Sequence, residues 1–170
     1  ETIELAFYGA KIIHPKTIRP LKIKNIPLYV KSFLEPDAEG SLIHADLTSD
    51  ALVPSCIIKQ DQVLISISPR DFSFIAEGHL HEIFGLFAKY RYSINLMQNS
   101  AISFSVCADN NPRLQQLIEG LQEKFRVRYN DGLQLITIRH YNSEVIERLS
   151  AGKEVLLEQR SRVTAQMVVK

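Results

Sequence analysis

The sequence has little of the chemistry that marks several protein classes. It holds 2 cysteines in 170 residues, and Cys56 and Cys107 lack CxxC spacing, which excludes a disulfide framework and a cysteine zinc site. We expect two buried, reduced thiols in a cytoplasmic protein. The net charge of +1 leaves no electrostatic footprint for nucleic acid or an anionic membrane. No apolar run is long enough to cross a bilayer.

The beginning of the chain lacks both an initiator Met and a signal-peptide pattern. It reads Glu1-Thr2-Ile3-Glu4, so we expect a piece of a longer protein. A hydrophobic fraction of 45% and a charged fraction of 23% are ordinary for a globular protein. This length allows one domain or two small ones.

A doubled unit is the main feature that is present. Residues 64–67 form a strand pattern, followed by an amphipathic helix that begins at Gly78. Residues 135–138 repeat the strand pattern, followed by a second glycine-led segment at 152–156. A strand-to-helix unit that occurs twice indicates two small α+β modules packed together. This arrangement favours a regulatory region over a compact catalytic domain.

The pattern along the chain predicts the order of these elements. Before residue 55 we expect helices at 4–13 and 17–24 and a strand at 26–30. Strands are predicted at 56–59 and 63–67, with a turn at Asp61-Gln62 between them. Next come the Gly78 helix, strands at 93–97 and 102–106, a helix after Asn111-Pro112, and strands at 125–129 and 133–138. Residues 63–129 thus read β-α-β-β-α-β, the ferredoxin-like arrangement.

The remainder predicts an incomplete second module with a helix at 143–159 and a strand at 164–169. Because its sheet would have open edges, we expect strand 56–59 to pair with strand 133–138. The first module would then be inserted in the second. The expected domains are 1–32, a linker at 33–50, a first strand of the second module within 51–62, the first module at 63–130, and the rest of the second module at 131–170.

Several segments resemble aspartokinases. Residues 7–18, Phe-Tyr-Gly-Ala-Lys-Ile-Ile-His-Pro-Lys-Thr-Ile, resemble the motif that ends the aspartokinase catalytic domain. The first ACT domain of that family is similar to residues 64–67, 82–84, 93–97 and Ser100. The second ACT domain is similar to residues 152–155. The resemblance implies an α+β fold of tandem ACT modules after a helical tail of the kinase domain.

The resemblance also implies a function for the parent protein. Aspartokinases phosphorylate the β-carboxylate of aspartate with MgATP and are inhibited by end-product amino acids. Lys11 and Ile12 match family positions that contact ATP. Most of the kinase domain is missing from this chain, so the resemblance implies no catalytic residue and no cofactor in this segment itself.

An amino-acid effector needs donors for its carboxylate and acceptors for its ammonium. The resemblance, with the helix start as a source of free N–H groups, implies effector contacts at Gly78, His79, Leu80, Ser93, Ile94, Asn95 and Ser100. We expect the site at a homodimer interface and the effector to be lysine or threonine. In lysine-inhibited relatives the position of Asn95 is typically Asp, that of Ala101 Glu, and that of His79 an apolar aromatic.

The histidines do not indicate a metal site. His79 and His81 are two apart on a helix and cannot face one ion, and His14 is expected to end a helix. Two other functions stay open. One is a ferredoxin-like RNA-binding domain, which would need aromatic and basic residues on its central strands. The other is a structural dimerisation module that has lost effector binding.

Overall fold

The computed structural model describes residues 2–10, 13–44 and 53–170, which divide into two compact units, Glu1–Val53 and Pro54–Lys170. The first unit contains helices α1 (Thr2–Phe7) and α2 (Pro15–Ile23) and an antiparallel pair of strands, β1 (Leu28–Val30) and β2 (Ser41–Ile43). The predicted helix 4–13 is therefore shorter, and the predicted linker contains a strand. His14 caps α2, since its Nδ1 accepts from the Lys16 N–H at 3.2 Å.

The second unit is one six-stranded antiparallel sheet with three helices among its described residues. Its elements in chain order are β3 (Ser55–Pro69), α3 (Glu77–Lys89), β4 (Ile94–Asn99), β5 (Phe104–Asp109), α4 (Leu114–Gln122), β6 (Phe125–Arg139), α5 (Ser143–Ser150), β7 (Val155–Arg160) and β8 (Thr164–Val169). The strand order is β4-β5-β3-β6-β8-β7.

Two strands of 15 residues each, β3 and β6, run through the whole sheet. The sequence predicted two strands in each place, because Asp61-Gln62 and residues 130–132 have turn chemistry. In the structure these residues form an irregular stretch inside continuous strands, where the β3–β6 register shifts on both sides of Gln62. The local polar pattern thus marks a bulge rather than a chain reversal.

These long strands divide the sheet into two modules. Module 1 contains β4, β5, α3, α4 and the paired ends of β3 and β6 at residues 62–69 and 125–133. Module 2 contains β7, β8, α5 and the other ends of β3 and β6. Cys56 lies opposite Ile138, and Lys59 lies opposite Leu135. The predicted pairing that inserts module 1 in module 2 is therefore confirmed.

The predicted helix at 143–159 is wrong in its second half. Helix α5 ends at Ser150, and Gly152 then adopts a φ of +72°, a left-handed conformation that glycine tolerates best. The chain continues as strand β7, so the segment at Gly152 leads into a strand and not into a helix. Module 2 consequently has four strands and one helix.

Three apolar clusters stabilise the second unit. In module 1, Ile65, Val106 and Leu117 belong to a core between the sheet and helices α3 and α4. In module 2, Ile136 and Met167 pack with α5. A third cluster lies on the helix-free side of both modules and is formed by Leu96, Cys107, Leu133, Leu135, Leu157 and Val168. This cluster, which we call the seam, joins the two modules.

The two cysteines differ in their surroundings. Cys107 is buried in the seam, and burial together with the nearby Asp109 carboxylate raises the pKa of its thiol to about 12. Cys56 is exposed, contrary to the expectation that both thiols are buried. A thiol with the pKa of Cys107 stays protonated and unreactive at neutral pH.

Candidate functional site: the start of helix α3 and the edge strand β4

Helix α3 begins without a side chain that can cap it. Its N-cap residue is Ala76, which has no oxygen to accept a first-turn N–H. His79 instead turns its ring back, so that Nδ1 accepts from the Ala76 N–H at 3.2 Å. An added Cβ at Gly78 would meet no atom within 4 Å. The first turn therefore presents backbone donors to an open space, as an effector carboxylate requires.

Leu80 has a different role from that expected. Its N–H bonds to the Ala76 carbonyl oxygen at 3.1 Å, inside the helix, and its half-buried side chain packs against the core of module 1. It cannot offer a free N–H to a ligand. Of the three helix-start residues that the resemblance indicates, Gly78 and His79 lie where a ligand can approach the first turn.

Strand β4 is one edge of the sheet, and its two ends lie near opposite ends of helix α3. The Ser100 end lies near the start of α3, because the Ile75 N–H bonds to the Ala101 carbonyl oxygen at 2.9 Å. The Ile94 end lies beyond the far end of α3, where Tyr92 Oη donates to the Asp109 carbonyl oxygen at 2.5 Å. A six-residue strand is about 20 Å long at roughly 3.3 Å per residue.

The predicted site residues consequently form two groups in a single chain. Gly78, His79 and Ser100 lie at one end of β4, and Ser93, Ile94 and Asn95 lie at the other. The expectation that Ser93, Ile94 and Asn95 face the helix start is wrong within one chain. The reason is topological: β4 runs parallel to β3, so it begins at the end of the module that is distant from the loop entering α3.

Asn95 lies in a polar cluster that the sequence did not predict, formed with Lys59, Gln62 and Asp109. Its Nδ2 donates to Gln62 Oε1 and to Asp109 Oδ1, each at 2.8 Å, and its Oδ1 accepts from Lys59 Nζ at 2.9 Å. Gln62 Nε2 donates to the same Asp109 oxygen at 2.9 Å. We call these four residues the junction cluster, since they surround the register shifts between the modules.

The charges of the junction cluster are balanced internally. Gln62 is 1% exposed, so its amide depends on these partners. Burial acts to raise the pKa of Asp109, but the hydrogen bonds from Gln62 and Asn95 and the charge of Lys59 outweigh it, and the pKa lies below its usual value. Lys59 Nζ is 3.8 Å from the Asp109 carboxylate. Asn95 is therefore engaged before any ligand arrives.

The remaining predicted site residues have plain structural surroundings. Ser100 Oγ lies 2.9 Å from Ser103 Oγ and accepts the Ser103 N–H at 3.2 Å, which holds the β4–β5 connection. Lys11 and Ile12 lie outside the described residues. Within residues 2–10, 13–44 and 53–170 no three His, Cys, Asp or Glu side chains converge as metal ligands. The same ranges contain no helix long and apolar enough to cross a membrane.

Exposed apolar side chains lie on the loop that enters α3, on the β4–β5 connection and on β4. Phe72 is 77% exposed, Phe74 72% and Ile102 60%, and Met97 on strand β4 is 50% exposed. An unpaired strand edge with apolar neighbours is typical of a surface that another chain covers.

The fold is that of two ACT-type modules, with one module inserted in the other. No protein-family model matches the chain. Among curated proteins it is 27% identical over 163 residues to lysine-sensitive aspartokinase 3 of Escherichia coli K12, a match covering 91% of this chain and 36% of that protein. The predicted resemblance to aspartokinases is confirmed, and the chain spans little more than a third of that relative.

Solved structures show the same fold. Aspartate kinase of Clostridium acetobutylicum has a TM-score of 0.83 at 17% identity, covering 100% of this chain and 43% of that one. E. coli aspartokinase III in complex with lysine and aspartate, in its T-state, has a TM-score of 0.77 at 22% identity, covering 96% and 40%.

Proposed function

We propose that this chain is the regulatory region of an aspartate kinase and that module 1 binds an end-product amino acid, lysine or threonine, for feedback inhibition. The observation that carries the proposal is the uncapped first turn of α3, where Gly78 leaves an open approach to backbone donors. The parent enzyme would phosphorylate aspartate with MgATP. The ATP contacts of Lys11 and Ile12 and a cytoplasmic location remain predictions from the sequence.

A homodimer would complete the site. If the β4 edges of two copies pair antiparallel about the middle of the strand, the beginning of one β4 lies beside the end of the other. Ser93, Ile94 and Asn95 of the partner subunit then approach Gly78, His79 and Ser100. The same pairing would cover Met97 and bring a second copy close to the exposed phenylalanines. The two groups of site residues, which are distant within one chain, would thus lie close together across the dimer interface.

The junction cluster favours threonine over lysine. The Lys59 ammonium already occupies Asn95 Oδ1 at 2.9 Å and would repel a ligand ammonium nearby, and lysine brings two ammonium groups where threonine brings one. The side chain of threonine carries no charge. We therefore expect a lower dissociation constant for threonine than for lysine.

Calorimetric titration of the chain with each amino acid tests the proposal, using a pair of glycine variants. Gly78 and Gly85 lie in the same helix, and an added Cβ meets no atom within 4 Å at either position. Gly78→Ala should weaken effector binding about tenfold or more by placing a methyl group in the ligand's approach, while Gly85→Ala should leave it unchanged. Both changes should retain the fold, since alanine favours helix. Equal binding by the two variants would contradict the site.

In the intact enzyme, effector binding should shift an active–inactive equilibrium by roughly 1–3 kcal/mol, or about 5- to 150-fold. Gly78→Ala should retain activity and need more effector for inhibition.

Assembly needs its own test, because a dimer without effector binding is the alternative function. The engaged state of Asn95 supports that alternative. Met97→Lys places a charge on the β4 edge and should raise the dimer dissociation constant, measured by analytical ultracentrifugation. Gln159→Lys on the opposite edge strand, β7, is the matched control. A dimer that binds neither lysine nor threonine would favour the purely structural module.

A further inference from the structure

On the helix-free face of module 1, serines and arginines lie beside each other on three neighbouring strands, β5, β3 and β6. In the pairing of β3 with β6, Ser66 lies opposite Arg128 and Ser68 lies opposite Arg126. On its other side β3 pairs with β5, where Ser66 lies opposite Ser105. Cross-strand neighbours on one face are about 4.5–5.5 Å apart at Cβ. Each arginine therefore has a serine hydroxyl beside it.

The alternation of the strands assigns these side chains to one face. Ile65, Ile67 and Val127 pack in the core under α3 and α4. Their neighbours along the strands, Ser66 and Arg126 among them, must point to the opposite face. There they line a cavity of about 180 Å³ whose walls are Ser66, Ser68, Ile102, Ser103, Arg126 and Arg128. We call this cavity the arginine groove.

Within the part of the chain that the structure describes, no carboxylate balances the positive charge of the groove. Among the described residues, neither Arg126 nor Arg128 has a carboxylate within ion-pair distance. Arg126 places its guanidinium 4.7 Å from the centre of the Phe72 ring, a cation–π contact that leaves the charge in place. Arg126 also lines, with Arg70, a cavity of about 520 Å³ whose walls include Phe125 and Val127 of the helix side. Like charges held on one face repel each other unless an anion lies between them.

The groove has the donors of an oxyanion site and the size of a small one. Guanidinium groups bind phosphate and carboxylate through two parallel N–H bonds, and serine hydroxyls add single donors. A cavity of about 180 Å³ is below the roughly 300–1,000 Å³ of pockets for drug-sized ligands. Phe104, the aromatic residue of β5, packs on the helix side. The face therefore lacks the stacking platform that single-stranded RNA requires on these strands.

We propose that the arginine groove is a second ligand site of module 1, which binds a phosphoryl group, either of inorganic phosphate or of a small phosphate ester. The phosphoryl oxygens lie between Arg126 and Arg128 and accept from the Ser66 hydroxyl. The Ser68 hydroxyl, which donates to the Arg126 carbonyl oxygen at 3.5 Å, would turn to the ligand as a second donor. The side chains proposed to bind the phosphoryl group are not among those proposed to bind the effector, so this proposal does not depend on effector binding at the first turn of α3.

Thermal unfolding with added phosphate tests the proposal, because a ligand that binds the folded chain raises the unfolding midpoint. Inorganic phosphate and glycerol 3-phosphate are the two probes, and sodium chloride at equal ionic strength is the reference. We expect a saturable increase with at least one probe, and the more tightly bound probe identifies the source of the phosphoryl group. No increase beyond that of sodium chloride with either probe would overturn the proposal.

Two variants separate this site from general charge effects. Arg126→Gln with Arg128→Gln should weaken binding by roughly tenfold or more, because each removes a charge-assisted contact. Arg162→Gln changes an exposed arginine in module 2 and should bind as the unaltered chain does. Ser66→Asp places a carboxylate beside Arg128 as an internal competitor, so it should fold and lose binding. Undiminished binding by the double arginine variant or by Ser66→Asp would overturn the proposal.

Discussion

The two modules have the same strand order and differ in what covers their sheets. Module 1 reads β4-β5-β3-β6, and module 2 reads β7-β8-β6-β3, so each long strand is central in one module and outer in the other. Module 1 has α3 and α4 over its sheet, whereas module 2 has α5 alone. Module 2 lacks the second helix because its fourth strand is the beginning of β3, which precedes module 1 in the chain. Because of the insertion, the beginning of β3 supplies the fourth strand of module 2, and the helix that would precede that strand is absent from the described residues of this module.

The helix starts show the functional side of this difference. In module 2, Asn142 Oδ1 accepts the Val145 N–H at 2.8 Å, so the first turn of α5 is capped by its own chain. The corresponding position in module 1 is Ala76, and the loop that leads to it carries the exposed Phe72 and Phe74. One helix start is closed by a side chain, while the other is left open. This contrast is consistent with the effector site proposed at the start of α3 in module 1.

The largest predicted effect concerns the seam, whose residues should make the two modules unfold together. Leu133 is fully buried there, and Leu133→Ala should reduce the free energy of unfolding by about 2–5 kcal/mol through lost burial and a cavity. Ile58→Ala, at a side chain that is 43% exposed, is the control and should cost roughly 1 kcal/mol or less. Urea unfolding followed by hydrogen exchange should show both modules losing protection together. Loss of protection in module 2 alone would contradict a shared seam.

The junction cluster predicts a smaller effect. Gln62→Leu removes an amide that pairs with Asn95 and Asp109. These two side chains would then lack a hydrogen-bond partner, which should lower the free energy of unfolding by about 1–3 kcal/mol. Gln60→Leu, at an exposed neighbour, is the control and should change stability by roughly 0.5 kcal/mol or less. If the two variants unfold at the same urea concentration, the cluster does not stabilise the junction.

Exchanging the cap residues of α3 and α5 tests whether the open start of α3 binds the effector. Asn142→Ala should reduce stability by about 1 kcal/mol, the usual cost of a lost N-cap. Ala76→Asn should stabilise α3 by a similar amount and also weaken effector binding, because the new side chain accepts the N–H groups offered to the ligand. Thermal unfolding and calorimetric titration measure the two effects. Ala76→Asn with unchanged effector binding would argue that the first turn of α3 is not the site.

Much of the fold could be predicted from the sequence because its signals are local. Alternating Val and Ile at 63–67 and apolar spacing after Gly78 are patterns of single elements. The continuity of β3 and β6 could not be predicted, since Asp61-Gln62 has the composition of a turn and becomes a bulge only through pairing with β6. Strand β7 was missed because 155–160 continues the helical spacing of α5.

The candidate site was predicted in part. Residue types indicated the open helix start at Gly78, which depends on local sequence. The positions of Ser93, Ile94 and Asn95 depend on the direction of β4 in the sheet, and no single segment encodes that direction. The junction cluster joins residues 59, 62, 95 and 109, which are distant in sequence and meet only in the folded sheet. The arginine groove could not be predicted either, because its serines and arginines lie on different strands and become neighbours only through the register of the sheet.

The smallest predicted effect is the pH dependence that the junction cluster gives to module 1. The pKa of Asp109 is lowered in the folded chain, so its ionised form stabilises the fold above the unfolded-state pKa. That stability is lost as the pH falls below about 4, the unfolded-state pKa, and through the lower folded-state pKa. Asp109→Asn should therefore be less stable than the unaltered chain at pH 7 and should approach it at the acid end. Urea unfolding across this range measures the difference, with Asp131→Asn, at an exposed residue of β6, as the control. A difference between the Asp109→Asn variant and the unaltered chain that stays constant with pH would show that Asp109 acts through its hydrogen bonds alone and not through its charge.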